Sequence, residues 1–364
     1  MAKQAWKAEK TARFRGRLLD WYERCRRDLP WRRTANPYAI WVSEVMLQQT
    51  RVAVGEVRFP AFMARFPTLV SLALASEEEV LAMWSGLGYY NRARLLHKAA
   101  RFVADHHQGN LPQTAEELRL LPGIGAYTAA AIASIAHGEP VAVIDGNVER
   151  VLCRIEGLDA GNHKSNGAAL RRKIETLANE LVAPTRPGDF NQAMMELGAT
   201  LCLPRNPQCL MCPVAEDCKT QGEHPTAPRP PMLCREVAHA LSVRSGRQPG
   251  QAHREVLLEQ RPSTQTVMAG MWELPALREF AVPESETRLT LRHSIMQTNY
   301  YVRVRTVFED DIDQMTVAGG LRRWVPLGEA GEMALTGLAR KILGRLHLLT
   351  PPALDVLTAA KEEG

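Results

Sequence analysis

No stretch of this chain approaches the ~20 consecutive apolar residues that a membrane span needs, and aromatic residues make up only 6% of it. The first residues, MAKQAWKAEKTARFRGRLLDW, lack the apolar centre of a secretory signal. They are basic and amphipathic, as an organellar transit peptide is, but run directly into apparently folded sequence. Cysteines are few and odd in number, seven in all. With no export signal, that count points away from a disulfide-stapled secreted protein and toward a reducing compartment. What remains is the composition of an ordinary globular protein, 45% hydrophobic and 23% charged over 364 residues. That length is enough for two domains, each with its own core. The net charge of +5 is modest but uneven: residues 1–33 hold eleven Lys or Arg against four Asp or Glu, and Arg92, Arg94, Lys98 and Arg101 form a second basic group. Such clusters suit a polyanionic partner, with solvated helix faces as the alternative.

Four of the seven cysteines, Cys202, Cys209, Cys212 and Cys218, fall within seventeen residues with the spacing C-x6-C-x2-C-x5-C. Pro204, Pro207 and Pro213 make that stretch a loop rather than a helix. Four reduced thiols this close suit one metal centre, zinc or an iron–sulfur cluster. Zinc ribbons usually pair two C-x2-C knuckles, whereas a single knuckle with unequal arms favours iron–sulfur.

The pattern up to residue 222 is helical, and a helix is expected from Pro37 through Val54, with Val42, Val45 and Met46 on one stripe and Glu44 and Gln48 on another. Ser76–Glu79 and Thr114–Glu117 read as capping boxes. Further helices are expected over Ala126–Ala136, Asn147–Ile155 and Phe190–Leu201. Residues 223–234 contain Pro225, Pro228, Pro230 and Pro231 and read as a stiff linker. Strand-like runs follow at Val237–Val243, Val256–Gln260 and Tyr300–Phe308, then a helix at Ala334–Leu346. The expected division is an all-α domain over 1–222, a linker over 223–234, a small α+β domain of about 115 residues over 235–349, and a tail over 350–364.

Four further motifs carry chemistry. Leu121-Pro122-Gly123-Ile124-Gly125 lies between helical patterns, where Gly123 and Gly125 permit a tight turn whose backbone N–H groups approach an anion. This is the form of a helix-hairpin-helix, which grips DNA phosphate without reading sequence; a plain interhelical turn is the alternative. Asp145, in Val143-Ile144-Asp145-Gly146-Asn147-Val148, is either an N-cap or a site carboxylate. Glu44, in Ser43-Glu44-Val45-Met46-Leu47-Gln48-Gln49-Thr50, is either an exposed helix glutamate or, beside an apolar stripe, a carboxyl whose burial makes it a usable general acid. Gly86-Leu87-Gly88-Tyr89-Tyr90 pairs aromatics with following arginines, a combination that stacks on bases, although core packing explains most tyrosines equally well.

The SEVMLQQT, GLGYY, LPGIG and VIDGNV segments and the cysteine spacing occur in this order in the helix-hairpin-helix base-excision glycosylases, which residues 1–222 resemble. With Leu29-Pro30-Trp31 and Phe190-Asn191-Gln192-Ala193-Met194-Met195, the chain is similar to the MutY adenine glycosylases in particular. The resemblance implies an enzyme that extrudes and excises adenine mispaired with 8-oxoguanine or guanine, working on double-stranded DNA as a monomer in a bacterial cytoplasm at the nucleoid. It implies Glu44 as the acid that protonates adenine and Asp145 as the carboxylate that stabilises the cationic sugar, with Asn147 and Tyr127 orienting them. Trp31, Arg32 and Gln192 match the base pocket, Gln49 and Tyr89 the residues that fill and wedge the opened stack, and Gly123 and Gly125 the phosphate hairpin. The four cysteines match ligands of a 4Fe-4S cluster, with Arg205 and Lys219 as cations beside it; Cys25, Cys153 and Cys234 fall outside the spacing. The related endonuclease III proteins carry a lysine nucleophile where this chain has Tyr127, and a phenol forms no imine, so a glycosylase without strong lyase activity is expected.

Val256–Pro262 and Gly270–Pro275 resemble the Nudix-like C-terminal domain of the same family, whose recognition loop reads His-Thr-Phe-Ser-His or similar. Here the loop is His293-Ser294-Ile295-Met296-Gln297, so its Phe-Ser-His part is missing and Met296 replaces the serine. Gln297, Thr298 and Ser294 are the substitutes at hand. The Nudix hydrolase box is absent after Gly270, and no pyrophosphatase activity is expected.

Overall fold

Asn36 and Pro37 begin the helix on which the rest of the site depends. The Asn36 side chain accepts from the backbone N–H groups of Tyr38 (2.9 Å) and Ala39 (3.2 Å), and Pro37 occupies the first helical turn. In this computed structural model, residues 6–158, 163–224, 231–246, 254–265, 267–280, 282–317 and 319–349 are described, residues 163–166 by backbone alone. Pro225, Pro228, Pro230 and the 350–364 tail lie outside the described residues.

The helices up to residue 200 are α1 (Ala8–Cys25), α2 (Pro37–Leu47), α3 (Val52–Arg65), α4 (Leu69–Leu74), α5 (Glu77–Met83), α6 (Asn91–His106), α7 (Ala115–Leu118), α8 (Ala126–His137), α9 (Gly146–Glu156), α10 (His163–Leu181) and α11 (Pro187–Thr200). The helix expected from Pro37 through Val54 is two helices. It stops at Leu47 because the polar run Gln48–Arg51 has no apolar face to bury, and Gln49 adopts a left-handed backbone (φ 56°) before α3 begins. The Ser76 box opens α5 with both reciprocal bonds in place. At Thr114 only half the expected box forms: its hydroxyl accepts from the Glu117 N–H, but the Glu117 carboxylate takes the hydroxyl proton rather than the capping backbone N–H. Helix α11 starts at Pro187, one turn before the expected Phe190.

Beyond the linker the elements are β1 (Leu233–Leu241), β2 (Val243–Ser245), β3 (Arg254–Gln260), β4 (Trp272–Glu273), β5 (Thr287–Ile295), β6 (Thr298–Thr306), α12 (Ile312–Met315), β7 (Arg322–Pro326), α13 (Leu327–Ala330) and α14 (Gly337–Arg345). The single strand expected over Val237–Val243 is two, divided at Ser242, whose carbonyl accepts from Leu257 N–H at 3.0 Å. One sheet runs β1-β6-β5, with β1 parallel to β6 and β5 antiparallel to it; in the other, β3 pairs antiparallel with β2, β4 and β7. Strand periodicity puts Val256 and Leu258 into one core with Trp272, Val302, Ile342 and Leu343, and Leu257 into a second with Ala238, Leu277 and Val307.

The described residues pack as two units, those within 1–49, 68–73 and 98–228 in one and those within 50–67, 74–97 and 229–364 in the other. In the first, α2 is buried from Tyr38 to Met46 and packs against α8, where Ala129, Ala130, Ala131 and Ala133 are buried and offer little bulk to hold the helices apart. In the second, Tyr90 donates from its hydroxyl to Leu335 O at 3.3 Å, and Arg340 donates to Ser85 Oγ at 2.7 Å and Gly331 O at 3.0 Å. Arg94 reaches Ala269 O. Among the described residues, no helix is long and apolar enough to cross a membrane.

Candidate active site

Glu44 is carried into the protein by the buried helix α2 and is only 6% exposed, which rules out the solvated-glutamate alternative. Burial pushes its carboxyl up to about 7; Asp145 pushes the same way, while the hydrogen bond from Tyr127 and the charge of Arg32 oppose. Tyr127, in the first turn of α8, donates from Oη to Glu44 Oε2 at 2.5 Å and lies 3.6 Å from Met195 Sδ. Burial, and then Glu44 itself, raise the Tyr127 phenol well above its ordinary value, so it stays a donor.

Asp145 is the N-cap of α9, and both of its carboxylate oxygens are held. One oxygen caps α9 by accepting from Val148 N–H at 2.7 Å, and the other accepts from Asn147 Nδ2 at 2.9 Å. Asn147 is held in turn by Arg150, whose Nη2 donates to Asn147 Oδ1 (2.9 Å) and Gly198 O (2.7 Å). Gly198 is a place where α11 needs a glycine: an added Cβ there would lie 2.6 Å from the Asn147 Cβ. Asn191, two turns earlier on α11, accepts from Val143 N–H and donates to Val141 O and Ser134 Oγ, fixing the approach to Asp145.

Trp31 and Arg32 lie on the short 3-10 turn Pro30–Arg32, with Trp31 buried. Arg32 donates to Glu196 Oε2 at 2.8 Å, and its guanidinium carbon is 5.5 Å from the Tyr22 ring centre. Tyr22 donates to Gln192 Oε1 at 3.1 Å. Glu44, Tyr127, Asp145, Asn147, Arg32 and Gln192 are thus joined by hydrogen bonds, ion pairs or direct electrostatic contact within one unit. The turn Leu121–Gly125 joins α7 to α8 with Gly123 left-handed (φ 73°) and both glycines exposed. Gly125 caps α8 with no side chain across its first N–H groups, which leaves them open to an anion.

Gln49 is exposed with the left-handed backbone already noted. Tyr89 belongs to the other unit; it is 47% exposed, left-handed (φ 48°), and has the Arg92 guanidinium 5.7 Å from its ring centre. A tyrosine at positive φ is a strained backbone. His293, Ser294, Met296 and Gln297 form the β5–β6 hairpin, where Ile295 faces Thr298 across the turn and Met296 is left-handed (φ 52°) and 73% exposed. Ser294 Oγ donates to Asn299 Oδ1 at 2.7 Å, and burial followed by Lys341 lowers the His293 imidazole.

The cysteine loop contains two 3-10 turns, Cys209–Met211 and Ala215–Asp217. The buried Arg154 of α9 donates to Leu203 O, Pro204 O and Cys202 Sγ (2.7, 3.0 and 3.3 Å), and Arg150 donates to Cys202 O. Burial, then the other three sulfurs, push the Cys212 thiol up to about 11, so four thiolates here need a cation to compensate them. In number and softness the donors fit a cysteine-ligated metal group. Among the described residues, however, no three His, Cys, Asp or Glu side chains stand in metal-holding geometry. Lys219 is occupied by Glu156 at 2.6 Å, whereas Arg205 is exposed. Of the cysteines outside the loop, Cys153 is buried, Cys25 is exposed, and Cys234 is exposed on β1 rather than in a linker.

Arg27, Arg150, Arg154 and Glu196 were not singled out in the sequence. For Glu196 a signal exists: an acid flanked by the apolar residues Ala193, Met194, Met195 and Leu197, one helical turn after Gln192.

Residues 42–179 match the HhH-GPD superfamily of base excision DNA repair proteins, and the chain belongs to that superfamily. Its curated relatives include adenine DNA glycosylases. That of Homo sapiens is 42% identical over 327 residues, covering 74% of this chain and 58% of the relative. That of Mus musculus is 50% identical over 215 residues (57% and 41%), and that of Mycolicibacterium smegmatis 42% over 199 residues (54% and 66%). The chain spans about half the length of the mammalian relatives it matches. Among solved structures, a thermostable thymine-DNA glycosylase superimposes with a TM-score of 0.53 at 29% identity, covering 58% of this chain and 97% of that one. A trapped endonuclease III–DNA covalent intermediate shares the fold, with a TM-score of 0.50 at 21% identity over 59% and 97%. The helical part therefore has the HhH-GPD glycosylase fold, followed by a strand-rich C-terminal region.

Proposed function

We propose that this protein hydrolyses the N-glycosidic bond of adenine mispaired in duplex DNA and leaves an abasic site. The observation that carries the reading is the buried Glu44 carboxyl, held by Tyr127 and poised at about 7, beside Asp145. A carboxyl at that value is partly protonated at neutral pH and can act as a general acid. In the proposed reaction Glu44 gives its proton to N7 of the extruded adenine. The C1′–N9 bond then breaks with its electron pair leaving on the base. The Asp145 carboxylate faces the cationic sugar, water adds to C1′, and the water's proton restores Glu44. Asn147 fixes the Asp145 carboxylate, and Tyr127 fixes Glu44. Trp31, Arg32 and Gln192 line the place of the extruded base; Gln49 and Tyr89 occupy the opened stack; the Gly123–Gly125 turn binds phosphate. Tyr127 supplies no amine, which favours base release without strand cleavage over an endonuclease III-like lyase.

Residues 1–222 are read as the glycosylase domain and 235–349 as a Nudix-like lesion-recognition domain. Its β5–β6 hairpin, His293–Gln297, meets 8-oxoguanine opposite the adenine. Cys202, Cys209, Cys212 and Cys218 would hold a 4Fe-4S cluster, whose contribution is positive charge and a cross-link that braces the loop. The test is single-turnover excision from duplexes carrying adenine opposite 8-oxoguanine, guanine or cytosine. Release opposite 8-oxoguanine and guanine, lost in Glu44→Gln with DNA binding retained, is expected. Near-native release by Glu44→Gln overturns the acid assignment, and absence of adenine release from every duplex overturns the function.

A further inference from the structure

Glu196 lies one helical turn beyond Gln192 on α11 and, although charged, is only 1% exposed. Its carboxylate is saturated by two arginines. Arg27 donates from Nε (2.7 Å) and Nη2 (2.8 Å), and Arg32 donates from Nη2 at 2.8 Å. Arg32 also donates to Arg27 O at 3.2 Å and lies over the Tyr22 ring, and Tyr22 holds Gln192. Such a buried ion pair is weak evidence for stability, since an apolar replacement often does as well. It fixes the position and charge of Arg32, however, and the charge of Arg32 acts on Glu44.

We infer that Glu196 is a positioning residue for base excision: it clamps Arg32 at the edge of the base pocket and cancels its charge, so that Glu44 can remain the proton donor. This rests on the excision reading above. The physical reason is the sign of the local field. Arg32 is a cation whose charge favours ionised Glu44, against the burial and the Asp145 charge that favour the protonated acid. A carboxylate paired with Arg32 neutralises that cation, and a bidentate hold on Arg27 keeps the carboxylate in place.

The test is the pH profile of single-turnover adenine excision by the full chain, from about pH 5 to 9, for Glu196→Gln, Glu196→Asp and Arg32→Gln. Glu196→Gln is nearly isosteric, and its alkaline limb is expected to fall by half a pH unit or more, so excision at pH 8 drops about threefold relative to pH 6. Glu196→Asp, which keeps the charge, returns the limb toward wild type. Arg32→Gln moves it the other way. Opposite displacements are not what a loss of packing produces. Should Glu196→Gln not fold, the double variant Glu196→Gln/Arg27→Gln removes one arginine together with the carboxylate, leaves Arg32 unneutralised, and is expected to show the same fall. Carboxyl NMR of the DNA-free protein, with Glu44→Gln for assignment, reads Glu44 ionisation independently of activity. A limb and a Glu44 titration unmoved by Glu196→Gln overturn the inference. A wild-type protein that excises no adenine overturns the functional reading, and the Glu44 titration then still decides the Glu196–Arg32 effect by itself.

Discussion

A carboxyl enclosed by a buried helix costs free energy when it ionises, and Glu44 pays for that position in stability. Its folded value of about 7 lies above the ordinary 4.5. Folding is therefore opposed only where Glu44 is ionised: the native state is favoured fully below about pH 4.5 and loses that advantage as pH rises through 7. The span corresponds to about 3 kcal/mol. Glu44→Gln is expected to melt above wild type at pH 8 and to lose that margin at pH 5, which calorimetry at the two pH values would read. Tyr127 acts on the same group. Its hydrogen bond lowers the Glu44 carboxyl, so Tyr127→Phe is expected to move the alkaline limb of excision upward; an unmoved limb means the phenol does not couple to the acid. Tyr127→Lys tests the geometry differently: an amine there is expected to yield some borohydride-trappable DNA adduct. Glu196 has the opposite sign. Burial raises its carboxyl, but Arg27 and Arg32 outweigh that and hold it at about 2, so its ion pairs contribute above about pH 4.5 and are lost as pH falls toward 2.

At the scale of elements, the site is made by three helix starts and one close crossing. α2 is capped by Asn36, α9 by Asp145, and α8 by a glycine that leaves its first N–H groups open. α11 crosses α9 at Gly198, where a methyl group would collide with Asn147. Gly198→Ala is expected to cost about 1–3 kcal/mol in urea unfolding and to lower excision, because Asn147 positions Asp145. A variant with native excision would mean that the two helices can separate without disturbing the carboxylate. The Asp145 cap was legible in the sequence because capping needs only local residue types. The end of α2 at Leu47 was not, because Val52 and Val54 resume the apolar spacing after the polar run Gln48–Arg51, and the left-handed backbone of Gln49 leaves no mark in residue type.

At the scale of the molecule, residues 50–67 and 74–97 pack with the C-terminal strands rather than following the order of the chain. Tyr90 is buried there with its hydroxyl on Leu335 O, and Arg340 binds Ser85. A fragment ending at residue 224 loses those partners. It is expected to melt below the full chain and to bind an apolar dye, in scanning fluorimetry of both; equal melting would show that these contacts are dispensable. A boundary read from prolines alone could not reveal this, because proline content marks where the chain is stiff, not which distant segments share a core.

The sequence by itself determined the residue types: the acid, the second carboxylate, the tyrosine in place of a lysine, the Gly-x-Gly turn and the four thiols. It also settled that α2 and α8 are helices, since their periodicity and caps are local. The tertiary structure decided what those groups are to one another. Glu44 had two readings, exposed helix glutamate or buried acid, and the burial of α2 with Tyr127 within 2.5 Å across 83 residues of chain removed the first. Glu196, Arg27, Arg150 and Arg154 entered only then. A charged side chain inside a protein is defined by its partners, and partners brought together from distant parts of the chain leave no periodic trace.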